Sequence, residues 1–280
     1  MNNAKSMSLR ARINNFSKQH GLSPQLTLQS FFAERFLARI AKSPYVNNLA
    51  IKGGTLMSAI LGIERRTTMD VDATVIGIHA DEARIVEIIE SIATIDMGDG
   101  IAFTRDESIP TVIAKDDEYG GFTVGLVAEF ETIRLPISVD VTFGDAITPK
   151  AEPRNFKSPL DDTISTRLLA YPVETLMAEK LQTILKRGVA TTRPRDFYDL
   201  YMLHTKREYK TNVLSQAVKN TFANRNSEEL LLNWQSTINA FKRSDFQRDQ
   251  WRRYTLKMPF AKDITFDDVI EALEKIFADL

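Results

Sequence analysis

Arg66, Thr68, Asp70 and Asp72 fall at alternate positions of the stretch RRTTMDVDATV. In a strand, side chains two residues apart share a face, so these four would project together. Thr67, Met69, Val71 and Ala73 would then turn the other way, into a core. Two carboxylates side by side on a strand repel each other unless a cation sits between them. Hard oxygen ligands of this kind suit Mg²⁺ shared with substrate phosphates.

The residues just upstream supply what a phosphate would need. Gly53-Gly54-Thr55 forms a turn that opens a short apolar helical run, Leu56 to Leu61. Two glycines let the backbone come close to a ligand, and the helix N-terminus offers N–H groups and positive dipole. Thr55 would cap that helix or donate its hydroxyl to a phosphate. Lys52 reads equally well as a phosphate contact or as a solvated lysine. A phosphate cradle followed by a carboxylate pair is the equipment of phosphoryl or nucleotidyl transfer.

The elements around this stretch must position it. Residues 8–20 read as a basic helix. From Thr27, Leu28, Phe31, Phe32, Phe36, Leu37 and Ile40 recur at helical spacing and predict an amphipathic helix ended by Pro44. Residues 80–94 predict another, with acids in its first turn. Strand-like runs follow at 101–108, 121–131 and 133–145, the first two joined by the loop 115–121. In that loop, Asp116, Asp117 and Glu118 read as a metal cluster or as solvated acids. Asp140 interrupts an apolar strand, as an outward-facing polar residue or as a ligand. Strand, helix and antiparallel strands together predict an α+β fold, a mixed sheet with helices on one side.

Residues 146–162 hold three prolines and little periodicity, which places a boundary there. We therefore expect a catalytic domain with N-terminal helices at 1–160 and a mainly helical domain at 161–280. The stretch TISTRLLAYP is read as a final strand pair. Pro172 and Gly188 bracket a helix whose buried stripe is Val173, Leu176, Met177, Leu181, Ile184 and Leu185. Lys180 lies on the edge of that stripe, where a lysine can snorkel. Asp196 and Asp199 share a face of the next helix, started by Pro194. Asp196 suits the helix dipole, and Asp199 suits a pairing with Arg195 or Lys180. Helices are expected at 211–222, 227–241, 246–256 and 266–278. Trp234, Phe241, Phe246, Trp251 and Phe260 read as core anchors, with Arg248, Arg252 and Arg253 as RNA-phosphate contacts or a solvated face.

Composition bounds the function. The chain has 280 residues, 43% hydrophobic and 26% charged, as in a globular protein large enough for a sizeable core. With no cysteine, thiolate metal sites and cysteine nucleophiles are excluded. Three scattered histidines (His20, His79, His204) form no triad. No segment has the length of a membrane span, so a soluble, cytoplasmic protein is expected. The net charge of −1 is segregated: +7 over residues 1–52, −13 over 53–179, +9 over 180–257 and −4 beyond. An acidic centre between basic blocks fits a metal-binding half with arms that grip a polyanion.

Glycine-glycine-threonine followed by Asp70-x-Asp72 is similar to the polymerase-beta-type nucleotidyltransferase superfamily. The longer pattern, Lys52-Gly53-Gly54-Thr55 with Arg66-x-Thr68-x-Asp70-x-Asp72, resembles the AbiEii/AbiGii-type nucleotidyltransferase toxins of bacterial toxin–antitoxin and phage-defence (abortive-infection) systems. Lys180, followed by Arg195-Asp196-Phe197-Tyr198-Asp199-Leu200, extends the resemblance to about residues 28–205. The resemblance implies a polymerase-beta-like mixed sheet with flanking helices and a mainly helical C-terminal domain. It implies two Mg²⁺ ions at Asp70, Asp72 and a third carboxylate, Asp140. Gly53, Gly54, Thr55, Arg66, Thr68 and Lys180 would bind an NTP, and Asp196 or Asp199 would add an essential acid. Its implied acceptor is RNA, such as the tRNA 3′ end, and its implied partner an antitoxin protein. Threonine stands where many such enzymes have serine after the glycines; the hydroxyl is kept. Two other readings share the metal site or the fold: an antibiotic-type small-molecule nucleotidyltransferase, and a non-catalytic binding module.

Overall fold

The computed structural model describes residues 4–79, 81–109, 111–113 and 121–280, which form two compact units. Asp116, Asp117 and Glu118 lie outside the described residues. The first unit comprises Met1–Gly144 and Glu152–Ala170, the second Asp145–Ala151 and Tyr171–Leu280.

The first unit is built on one mixed sheet, as the α+β reading expects. Its strands are β1 (Leu49–Ile51), β2 (Asp70–Val75), β3 (Ala102–Arg105), β4 (Val112–Ile113), β5 (Gly121–Phe130), β6 (Ile133–Phe143), β7 (Glu152–Ser158) and β8 (Asp161–Ala170). They run in the order β3-β5-β6-β2-β1-β8-β7, with β4 paired to β5. The β5–β6 and β7–β8 pairs are antiparallel, whereas β2 and β6 run parallel in continuous register from Asp70↔Ser138 to Val75↔Phe143. Four helices accompany the sheet: α1 (Ala4–His20), α2 (Pro24–Lys42), α3 (Gly53–Leu61) and α4 (Glu82–Ala93).

Helix α2 packs on α1 and α4 and across β2, β6, β7 and β8. Phe32, Phe36, Leu37 and Ile40 of its predicted stripe are buried, each stabilising the fold by roughly 1.5–3 kcal/mol relative to exposure. Arg39 of the same helix is fully buried as well. Its guanidinium donates to Asp99 at 2.9 and 3.2 Å and to the Ile101 carbonyl at 2.6 Å, and lies 4.7 Å from the Phe103 ring centroid. A buried charge persists only when paired in this way.

Two expectations change. Strand β2 begins at Asp70, so Arg66 and Thr68 precede it. The Arg65 and Arg66 amides both donate to the Gly62 carbonyl at 3.0 Å, and this turn removes Arg66 from any ladder. Within the stretch 146–162, residues 146–151 belong to the second unit, whereas β7 from Glu152 onward lies with β8 in the sheet-bearing unit. As the end strand of the sheet β7 tolerates Pro153, which is why proline content misled there.

The second unit is helical: α5 (Val173–Arg187), α6 (Pro194–Lys206), α7 (Thr211–Asn224), α8 (Glu229–Leu232), α9 (Trp234–Lys242), α10 (Asp245–Lys257) and α11 (Phe266–Ala278). Helix α5 packs on α7, and α11 on α6 and α9. Phe197 meets Phe241 edge-on at 5.3 Å, and Trp234 stacks on Phe277 at 5.3 Å. The expected helix 227–241 is broken at Asn233, and Phe246 is 49% exposed rather than a core anchor. Arg248 pairs with Asp267, and Arg252 and Arg253 share Asp249, so two neighbouring acids offset part of these three charges. Among the described residues no helix is long and apolar enough to cross a membrane.

Candidate active site

The parallel register of β2 and β6 sets the site. It pairs Asp72 with Asp140, and cross-strand partners in register share a face. Asp70 stands two residues before Asp72 and faces the same way. All three carboxylates are half-buried. The Thr123 hydroxyl, on the antiparallel neighbour β5, donates to Asp140 Oδ1 at 2.7 Å and orients it. Sequence reasoning missed Thr123, whose alternation in β5 is the one local hint.

The glycine turn is moulded against this face. Gly53 has φ +54°, and a Cβ there would lie 2.5 Å from Asp72 Cγ. A Cβ at Gly54 would meet Thr68 Oγ1 at 2.8 Å and an Arg66 guanidinium nitrogen at 3.4 Å. The turn thus brings Thr68 and the buried Arg66 to the same wall, although neither is in a strand. Arg66 also donates to the Thr67 carbonyl at 2.6 Å.

Thr55 joins the helix to the strand. Its hydroxyl donates to the Asp70 carbonyl at 2.9 Å and accepts from the Asp72 amide at 3.0 Å. Its own amide donates to Asp72 Oδ2 at 3.2 Å. Asp72 is therefore an anion at the N-terminus of α3, where the helix dipole favours it. Lys52 precedes the helix, largely buried, its amide bonded to the Asp72 carbonyl at 3.0 Å.

The donor set fits a divalent cation in chemistry. Three carboxylates on adjoining strands supply only hard oxygen, as Mg²⁺ prefers. Among the described residues no group of three His, Cys, Asp or Glu side chains is placed to hold a metal ion as it stands.

In the second unit, Lys180, Asp196 and Asp199 form a cluster of their own. Lys180 Nζ lies 2.6 Å from Asp196 Oδ1 and 2.8 Å from Asp199 Oδ2. The lysine and Asp196 are each 8% exposed, and Asp199 is fully buried. The sequence left open which acid matters; both engage the same ammonium. Asp196 and Asp199 lie one helical turn apart on α6, which is what lets one cation reach both.

Comparison with known proteins bears on what these arrangements do. The family described as nucleotidyl transferase AbiEii toxin, type IV toxin–antitoxin system, matches residues 35–272. The chain belongs to the AbiEii nucleotidyltransferase toxin family. It is similar in fold to a crystal structure from H. pylori assigned as a nucleotidyltransferase, with TM-score 0.51, 14% identity, 92% of this chain and 95% of that one covered. It is also similar to the crystal structure of JHP933 from Helicobacter pylori, with TM-score 0.47 and 13% identity, covering 90% of each chain. No curated protein matches. As an AbiEii family member the chain is a nucleotidyltransferase of a toxin–antitoxin system, a class that uses an NTP and a divalent metal and has an antitoxin as partner.

Proposed function

We propose that this AbiEii-family chain is a Mg²⁺-dependent toxin that transfers a nucleotide from an NTP to an RNA acceptor, the 3′ end of tRNA. It acts in the cytoplasm, in phage defence, and is held in check by a cognate antitoxin protein. The observation that carries the reading is the β2–β6 register, which sets Asp140 beside Asp72 against the glycine turn.

Asp70, Asp72 and Asp140 would hold the metal ions. Bound there, Mg²⁺ supplies charge neutralisation for the triphosphate and lowers the pKa of an acceptor hydroxyl. Gly53, Gly54 and Thr55 shape the turn that approaches the triphosphate. Arg66 adds positive charge beside Thr68 on the same wall. Lys180, buried between Asp196 and Asp199, is the further cation of this reading. The acceptor oxygen attacks the α-phosphorus, the bond to the β-phosphate oxygen breaks, and pyrophosphate leaves.

The test supplies each of four α-labelled NTPs with Mg²⁺ and total bacterial RNA, beside an Asp70→Asn protein. Label on a tRNA-sized band, lost in the variant, is expected. Equal labelling by the variant, or none by the parent chain, would overturn the proposal.

A further inference from the structure

Asp72 and Asp140 belong to a row of side chains that runs across the sheet beyond both of them. The β2–β6 register pairs Asp72 with Asp140, and the β6–β5 register pairs Asp140 with Thr123. Cross-strand partners in register share a face, so these three side chains stand side by side. Thr55, in the first turn of α3, closes the other end of the row. Its amide donates to Asp72 Oδ2 at 3.2 Å, and its hydroxyl lies 3.3 Å from the same oxygen. The Thr123 hydroxyl donates to Asp140 Oδ1 at 2.7 Å. Each carboxylate of the in-register pair is thus held by a threonine, from the flank away from the other carboxylate.

Thr123 is itself firmly seated. It is half-buried, and strands border it on both sides, β6 at Asp140 and β4 at Val112. Two residues along, on the same face, Gly125 is covered: a Cβ there would lie 2.7 Å from Ile109 Cβ. The Gly125 carbonyl accepts from the Asp106 amide at 3.0 Å and from the Arg105 guanidinium at 2.8 Å. A β-branched side chain on such a backbone has little χ1 freedom, so the hydroxyl stays where the strand puts it. Its bond fixes the rotation of the Asp140 carboxylate. A cation arriving at a carboxylate already oriented does not have to freeze that rotation on binding.

We propose that Thr123 is a positioning residue of the candidate metal site, acting through Asp140 by setting its carboxylate in the orientation that receives the cation. The inference rests on the proposed metal site, with Asp140 as one of its ligands. It adds a residue from a neighbouring strand that sets how tightly that site binds.

Mn²⁺ alone serves as the probe, titrated into the full chain without NTP or RNA and followed by electron paramagnetic resonance of the free ion. The parent chain is compared with Asp140→Asn, Thr123→Val and Thr123→Ser. Valine keeps the branched shape and suits a strand but removes the donor, whereas serine keeps the donor. Thr123→Ala is a second donor-free variant, used if valine disturbs the fold as seen by circular dichroism. Asp140→Asn should weaken Mn²⁺ binding. Thr123→Val should weaken it roughly 10–100-fold, the usual scale for losing a group that orients a metal ligand, and Thr123→Ser should stay close to the parent. Urea unfolding without metal reads stability separately. A threonine that serves the sheet alone would lower the urea midpoint of Thr123→Val and leave its Mn²⁺ affinity unchanged. That unchanged affinity, beside weakened binding by Asp140→Asn, would overturn the inference and leave the metal site standing. Equal weakening by serine and valine would also overturn it, because the hydroxyl would not be the cause. Mn²⁺ binding by Asp140→Asn equal to the parent's, or none by the parent, would remove Asp140 as a ligand and take the proposed metal site down together with this inference.

Discussion

Gly53 and Asp72 fill one space between them: the carboxylate occupies the position where any side chain at residue 53 would begin, 2.5 Å from Asp72 Cγ. The backbone at Gly53 is also left-handed, at φ +54°. The glycine is thus required twice, by conformation and by the acid it shelters.

Gly53→Ala should therefore cost about 1–3 kcal/mol of stability, the price of a strained backbone at a non-glycine residue. It should also displace Asp72 and reduce label transfer to the level of Asp72→Asn. Urea unfolding and the transfer assay read the two effects separately. Full transfer by a destabilised variant would show that the seat of Asp72 is not critical.

Thr55 should tolerate serine and resist valine. Valine keeps the shape but leaves the Asp72 amide and Asp70 carbonyl without their 3.0 and 2.9 Å partner. Each buried group left unsatisfied costs roughly 1–3 kcal/mol. Thr55→Ser should stay close to the parent in urea midpoint and in transfer. A valine variant as stable as serine would mean that solvent replaces the hydroxyl.

Lys180→Met should be among the most damaging single changes in the second unit. It removes the ammonium 2.6 and 2.8 Å from Asp196 and Asp199, the second of which is fully buried. Breaking a buried pair on one side costs about 3–5 kcal/mol. Lys180→Met combined with Asp199→Asn should regain part of that loss in urea unfolding. Strict additivity of the two changes would argue against coupling.

Glu34 should leave a signature in the pH dependence of stability. Its folded-state carboxyl is raised by burial above the ordinary value of 4.5. The folded state therefore binds this proton more tightly than the unfolded chain. Stability from Glu34 is present below the unfolded value and declines as pH rises through the raised folded value. Glu34→Gln should flatten that part of the profile, as followed by thermal unfolding across mildly acidic pH. An unchanged slope would assign the titration to another group.

Much of this molecule was legible in local spacing. The i, i+2 pattern puts Asp70 and Asp72 on one face, and the three-to-four-residue spacing in α2 buries Phe32, Phe36 and Ile40. Gly53-Gly54-Thr55 announced a helix start, although all three lie in the first turn of α3 itself with Lys52 at its N-cap, and Pro172 and Gly188 bracketed α5. Such features depend on neighbours a few residues away, so the chain states them directly. Tertiary structure decided what joins across distance. The parallel register that sets Asp140 beside Asp72 depends on how two strands far apart in sequence pack, and a one-residue slip would have turned Asp140 away. The contacts of Gly53 with Asp72, of Thr55 with two strand residues, and of Lys180 with both acids are likewise products of packing.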